Sequence, residues 1–304
     1  MKKRYLKWLD KNVDDLSNKT FLITGCNSGI GFCVAKYLCY KKANIIMACR
    51  NIAKANDAKD LILKNIPSAN IKVMKLDVSS IKSINSFIDE YKNKKIDIDV
   101  FINNAGAFHL KKILTKDNFE TIMATNYLGT YLLTNKIYSL LNKQKETRIV
   151  FTTSIAHRWG KINYDDFFSL KKYKHIKVYA NSKLALTKYF VYLSENTDKN
   201  VKIVASHPGI TATNLLNPNK GGTSKLFATI GNAFLKIFVH SADKAALSTI
   251  LAATKKDVNN QDLYGPKGLY GISGYPVLQR VSKKALVDND KLINFTETLL
   301  KNTQ

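Results

Sequence analysis

Tyr179 and Lys183, in the stretch Val178-Tyr179-Ala180-Asn181-Ser182-Lys183, form the pair of side chains best suited to move a proton. On a helix, residues four apart lie on one face, so the phenol and the ammonium project together. A free phenol ionises at about 10, too high for efficient acid–base work at neutral pH; a lysine charge beside it favours the phenolate and lowers that value. Such a pair exchanges a proton with a substrate oxygen. The spacing alone is common, and a half-buried tyrosine beside a solvated lysine needs no catalytic explanation. Its weight rests on the elements that must position it.

Upstream, Thr20 to Thr24 reads as a short buried strand, followed by Gly25-Cys26-Asn27-Ser28-Gly29-Ile30-Gly31 and a helical run to about Tyr40. Strand, glycine-rich turn and helix are the context a dinucleotide site requires: glycine permits a tight turn and close approach of backbone to pyrophosphate, and the helix N-terminus supplies N–H donors. The residues expected to face the cofactor are Gly25, Asn27, Ser28, Gly29, Ile30 and Gly31. A second strand, Asn44 to Ala48, ends at Cys49 and Arg50 with no carboxylate for a ribose hydroxyl. Arginine there suits a 2′-phosphate, so NADP(H) is expected before NAD(H).

Further along, helix is expected over Ala53 to Lys64, Ser80 to Lys92 with Ser80 as N-cap, Phe119 to Leu141 and Val178 to Ser194. Strands are expected at Ile71 to Lys75, Ile98 to Ile102, Arg148 to Thr153 and Val201 to Ala205. Alternating strands and helices imply an α/β fold with a doubly wound parallel sheet covered by helices on both faces. Ligands then lie beyond the C-terminal strand ends, and Gly25, Arg50, Asp77, Asn103, Ser154 and His207 all fall at or near such ends. Neither a linker nor an internal repeat divides residues 1–304, so one domain is expected, with 1–18 as an N-terminal extension.

The net charge of +25 raises the question of nucleic acid, but the lysines are spread along the whole chain without an arginine-rich helix or basic tail. Specific nucleic-acid binding is therefore not expected; a peripheral attraction to anionic membrane fits the charge better. The chain contains no run of ~18 apolar residues, and its first ten residues are too polar for a signal peptide. A cytoplasmic protein is expected, at most peripheral to a membrane. Cys26, Cys33, Cys39 and Cys49 form no Cys-x-x-Cys pair and have no histidine cluster beside them, which argues against a metal site and for packing as small apolar residues.

The motifs Thr24-Gly25-x-x-x-Gly29-x-Gly31, Asp77-Val78, Asn103-Asn104-Ala105-Gly106, Asn126, Ser154, Tyr179-x-x-x-Lys183 and Pro208-Gly209 occur in an order that resembles the short-chain dehydrogenase/reductase family, a Rossmann fold. The stretch Ser154-Ile155-Ala156-His157 and the long insert before Tyr179 resemble its retinol-dehydrogenase-like branch. The resemblance implies Tyr179 as acid–base group, Lys183 lowering its pKa and holding the nicotinamide ribose, Ser154 bonding the substrate carbonyl, and Asn126 anchoring a water of a proton relay. It implies Asp77 and Val78 at the adenine, Asn103, Ala105 and Gly106 along the adenosine, and Pro208, Gly209, Ile210 and Thr213 at the nicotinamide end. It further implies carbonyl reductase or alcohol dehydrogenase activity on lipophilic compounds, and homo-oligomers built on the tyrosine–lysine helix.

Residues 211–240 are expected to cover the substrate: Leu226, Phe227, Ile230, Phe234, Leu235, Ile237 and Phe238 make an apolar face suited to a small lipophilic carbonyl or alcohol. The competing reading is a regulatory protein that binds the cofactor with little or no catalysis; the intact Asn126, Ser154, Tyr179 and Lys183 set weighs against it.

Overall fold

Six parallel strands, β1 (Thr20–Thr24), β2 (Asn44–Cys49), β3 (Ile71–Lys75), β4 (Val100–Asn103), β5 (Thr147–Thr152) and β6 (Val201–Ser206), fall within two residues of the expected positions in the computed structural model. The model describes residues 1–210 and 241–302. Two further strands extend the sheet: β7 (Leu263–Pro266), parallel to β6, and β8 (Pro276–Gln279), antiparallel to β7. The order is β3-β2-β1-β4-β5-β6-β7-β8, with the direction of winding reversing between β1 and β4. That crevice is where an open α/β sheet receives ligands.

The helices in chain order are α1 (Lys3–Asn12), α2 (Gly29–Tyr40), α3 (Ile52–Leu63), α4 (Ile81–Asn93), α5 (Thr121–Met123), α6 (Gly129–Tyr138), α7 (His175–Glu195), α8 (Ala242–Thr254) and α9 (Asn289–Lys301). They bury the sheet on both sides. Phe21 and Ile23 of β1 turn into the layer of α1, α2, α3 and α8, and the intervening Leu22 into the layer of α4, α6, α7 and α9, as a two-residue strand period requires. Among the described residues no helix is long and apolar enough to cross a membrane.

Two expectations change. The N-terminal extension contributes to the core: Tyr5 and Leu9 share one face of α1 and join Val13 and Leu16 in a buried cluster with Val34, Leu38 and Leu247. Their spacing of four was overshadowed by the surrounding charge. The single helix expected over Phe119 to Leu141 is broken. It starts late because the Glu120 carboxylate caps it, accepting from Ile122 N (3.0 Å) and Met123 N (2.8 Å), and ends at Tyr138. Between α5 and α6 the segment Ala124–Leu128 is a π-turn, a widening that recurs where proteins place functional groups. By contrast, Ser80 caps α4 as expected, its hydroxyl accepting from Ser83 N (3.3 Å).

Gly129 had no assigned part, yet α6 crosses the chain after β3 at this residue. A Cβ there would sit 1.7 Å from the Val78 carbonyl oxygen, whereas a Cβ on Gly29, at φ +60°, would meet nothing within 4 Å. Gly129→Ala is therefore expected to cost roughly 2–4 kcal/mol by urea unfolding, through overpacking against backbone. Gly29→Ala is expected to cost about 1 kcal/mol, from the left-handed backbone alone. Equal losses would contradict this account.

Candidate active site

Lys183 is 5% exposed, and its Nζ donates to the carbonyl of Thr152 (2.9 Å), the last residue of β5. One turn earlier on α7, Tyr179 is half-buried, with the Phe108 ring edge-on to it at 5.4 Å between centroids. Ser154 caps a 3₁₀ turn, Ile155–Trp159, by accepting from Ala156 N (3.2 Å). The turn is held by buried His157, whose Nδ1 donates to the Ser154 carbonyl at 2.6 Å.

Burial sets the charge states. It raises the Tyr179 phenol above its ordinary value, with the Ser154 hydroxyl pulling the other way, and it lowers Lys183 to about 8. The depression of Tyr179 expected from Lys183 is thus absent in this arrangement. Desolvation is the larger effect at Tyr179, and the Lys183 ammonium donates its hydrogen bond to the Thr152 carbonyl. Tyr179 is a neutral phenol at pH 7.

Asn126, in the π-turn, joins three elements. Its Oδ1 accepts from Ala107 N (2.7 Å), and its Nδ2 donates to Ala107 O (3.1 Å) and Ser182 Oγ (3.0 Å). Ser182 in turn donates to the carbonyl of Tyr179 (2.8 Å). Both amide hydrogens and one lone pair of the side-chain oxygen are taken up in this clamp. Gly106 lies against the clamp: a Cβ there would be 3.4 Å from Asn126 Oδ1 and 3.8 Å from Lys183 Nζ.

The glycine-rich turn is fixed from β4. Thr24 Oγ1 accepts from Asn104 N (3.0 Å) and Ala105 N (2.9 Å), and Asn104 Nδ2 donates to the carbonyls of Thr24 (2.8 Å) and Gly25 (3.2 Å). Gly25 (φ +64°) and Gly31 have no space for side chains: a Cβ would lie 2.9 Å from Ala105 Cα at the first and 2.3 Å from Asn104 Nδ2 at the second. Asn27, Ser28 and Ile30 complete the turn and the start of α2. Of the two strand-end asparagines, Asn103 turns into the core and donates to Thr134 Oγ1 (3.0 Å), so its backbone is what it can offer a ligand.

At the outer end, Arg50 is largely exposed, with Nη1 4.0 Å from Asp77 Oδ2. Asp77 Oδ1 accepts from Ser79 N (3.0 Å) and Ser79 Oγ (2.6 Å). Arg50, Lys75, Asp77, Ser79, His109 and Lys116 are among the walls of a cavity of about 510 Å³. Val78 is buried beneath. Near β6, Pro208 precedes Gly209 (φ +75°), and Ile210 N donates to Ile272 O (3.1 Å), tying this segment to the β7–β8 loop. Thr213 and the apolar face within 211–240 lie outside the described residues.

The expected residues that are described thus gather along one crevice. Asn104, Thr24, Ser182, His157 and the Thr152 carbonyl support them without having been singled out for those parts. A usable signal existed for Asn104 alone: it directly follows a strand ending in asparagine, where the pleat sends neighbouring side chains opposite ways.

A family model described as short chain dehydrogenase matches residues 19–222. Retinol dehydrogenase 14 of Mus musculus is 36% identical over 211 residues, covering 66% of this chain and 63% of that protein, so the chain spans slightly under two thirds of that relative. Short-chain dehydrogenase TIC 32 B, chloroplastic, of Brassica napus is 37% identical over 228 residues and 70% of each chain. Among solved structures, an uncharacterized protein from Mycobacterium paratuberculosis superposes with a TM-score of 0.77 at 28% identity, over 96% of both chains.

Lys183 gives a measurable pH effect. Its folded-state value, about 8, lies below its ordinary 10.5, so the folded protein sheds this proton first as pH rises. Stability therefore increases through that window. Relative to Lys183→Met, the unaltered protein is expected to gain about 2 kcal/mol between pH 8 and pH 10 in urea unfolding. Parallel pH profiles would show that the ammonium is not desolvated.

Proposed function

The chain belongs to the short-chain dehydrogenase family, in its retinol-dehydrogenase-like branch, and from that premise we propose that it transfers a hydride between NADP(H) and a lipophilic aldehyde, ketone or alcohol. The observation that carries the reading is the meeting of Ser154, Tyr179, Lys183 and Asn126 at the strand ends beside an open glycine turn. The turn fits a dinucleotide: Gly25 and Gly31 are packed from behind, while Gly29 faces free space where pyrophosphate can approach its backbone. Arg50, with Lys75 beside it donating to the Arg50 carbonyl (2.6 Å), suits a 2′-phosphate in the adjoining cavity.

The bound nicotinamide supplies or accepts the hydride. Ser154 Oγ binds the substrate oxygen, and neutral Tyr179 gives its proton to that oxygen as reduction builds negative charge on it. In oxidation the same phenol must first lose its proton, and the Lys183 ammonium, one turn away on α7, would favour the phenolate and would hold the nicotinamide ribose. Asn126 keeps α7 in register with the Ala107 loop, and the remaining lone pair of its oxygen suits a water of the relay. Phe108 offers the reacting carbon an apolar wall, which favours lipophilic substrates.

Tyr179→Phe is expected to lower kcat by roughly a hundredfold to ten-thousandfold while leaving the NADPH dissociation constant within about threefold. A near-normal rate in single turnover would remove Tyr179 from the chemistry. Arg50→Asp is expected to weaken NADPH by roughly tenfold to a hundredfold and to spare NADH. Fluorescence titration of both cofactors checks this, and an unchanged ratio would mean that Arg50 does not read the 2′-phosphate. Tight NADPH binding without turnover of any aldehyde or ketone in a graded chain-length series would favour the regulatory reading.

A further inference from the structure

Cys26 lies within the glycine-rich turn and Cys49 at the end of β2, with their sulfurs 3.9 Å apart, and both are fully buried. They are the one sulfur pair in contact among the described residues; Cys33 and Cys39, on α2, are buried and reduced. The two positions bear directly on the cofactor crevice. Cys26 follows Gly25, whose N–H is bonded to Ala48 O (2.9 Å) and whose carbonyl is held by the Asn104 amide. Cys49 ends β2 and immediately precedes Arg50.

We propose that Cys26 and Cys49 form a reversible disulfide under a hydroperoxide oxidant, and that this bond draws the glycine-rich turn onto the end of β2 and weakens dinucleotide binding. The proposal rests on the reading that this turn holds NADP(H).

The environment divides the two thiols. Cys49 is held below its ordinary value by the hydrogen bond from the Cys26 thiol and by the N–H groups of Cys26, Asn27 and Gly25, against the effect of burial. Cys26 is pushed up by burial, and its thiol also reaches the Ile23 carbonyl at 3.2 Å. Cys33 and Cys39 are both raised to about 12 by burial, which leaves them unreactive. Cys49, 3.9 Å from its partner sulfur and the one held lower, is therefore the nucleophile once local opening of the turn admits the oxidant to this buried pair. Its thiolate attacks one peroxide oxygen and becomes a sulfenic acid, with the other oxygen leaving as hydroxide and taking a proton to form water. The Cys26 sulfur then attacks the sulfenic sulfur; the S–S bond forms, the S–O bond breaks, and the thiol proton leaves with the hydroxyl as a second water. Two thiols are oxidised by two electrons and one peroxide is reduced to two waters.

Bond formation needs a sulfur separation of about 2.05 Å, so the pair must close by roughly 2 Å. The parallel pairing of β2 with β1 and β3 resists movement of Cys49, and most of the closure falls on the turn. Moving Cys26 displaces the neighbouring N–H groups of Gly25 and Asn27 and pulls on the Gly25 carbonyl that Asn104 holds.

The test uses the full chain treated with hydrogen peroxide, then freed of it. The expected result is a mass lower by about 2 Da, loss of two of the four titratable thiols, a Cys26–Cys49 linked peptide, and an NADPH dissociation constant raised about tenfold or more, all restored by dithiothreitol. Cys26→Ala and Cys49→Ala, each compared with its own reduced form, are expected to show no linked peptide and no change in affinity. Absence of the linked peptide in the unaltered protein, or its formation with unchanged affinity, overturns the proposal. Thiol titration and peptide mapping need no cofactor. If the bond forms but the reduced protein binds neither NADPH nor NADH, the cofactor reading fails, and the switch with it.

Discussion

The buried amide of Asn126 is the contact on which the geometry of the candidate site depends. It satisfies both hydrogen-bonding groups of Ala107 and the hydroxyl of Ser182, so three segments far apart in sequence share one side chain. Buried polar groups of this kind are costly when unpaired and tie their partners closely when paired. The π-turn is what allows it. An unbroken helix from Thr121 would carry residue 126 at a different angle, and the amide would miss the Ala107 loop. A Cβ at Gly106 would make ordinary contact with Asn126 Oδ1 and Lys183 Nζ, which places this glycine between the two.

A second constraint is electrostatic. Lys183 is held at the C-terminal end of β5 by the neutral Thr152 carbonyl, with no carboxylate bonded to it among the described residues, and burial lowers its affinity for a proton. Coupling to Tyr179 therefore depends on what else enters the crevice. The phenol is tuned by the occupied site as a whole, which separates a positioned acid from one that is ionised at all times.

Much of this was legible in the residues. Buried strands, the glycine turn and the tyrosine–lysine spacing each carry a local signal, and the sheet follows from their alternation. The rest depends on contacts that local patterns do not encode. Gly129 reads as a weak point in a helix until the Val78 carbonyl is placed against it. The asparagine pair announces cross-linking, but which member joins the turn and which the core is set by the pleat at the end of β4. The lowering of Tyr179 followed from charge proximity alone; burial, which reversed it, belongs to the folded state. Helix α1 went unread because charged residues masked its apolar face.

Helix α9 covers much of the catalytic helix from the side away from the sheet. Tyr127, beside Asn126, bonds Thr296 Oγ1 (2.6 Å); Phe295 packs on Tyr164 and Phe167; and Lys188 of α7 bonds Asn289 Oδ1 (3.3 Å). These partners are separated by more than a hundred residues of chain, and the ribosome delivers α9 last of all the described elements. During synthesis Lys188 of α7 and the rings of Tyr127, Tyr164 and Phe167 therefore wait without these partners after every described strand has emerged. A chain at that stage leaves apolar surface open to association. The same contacts make α9 the last of the described elements to close over α7.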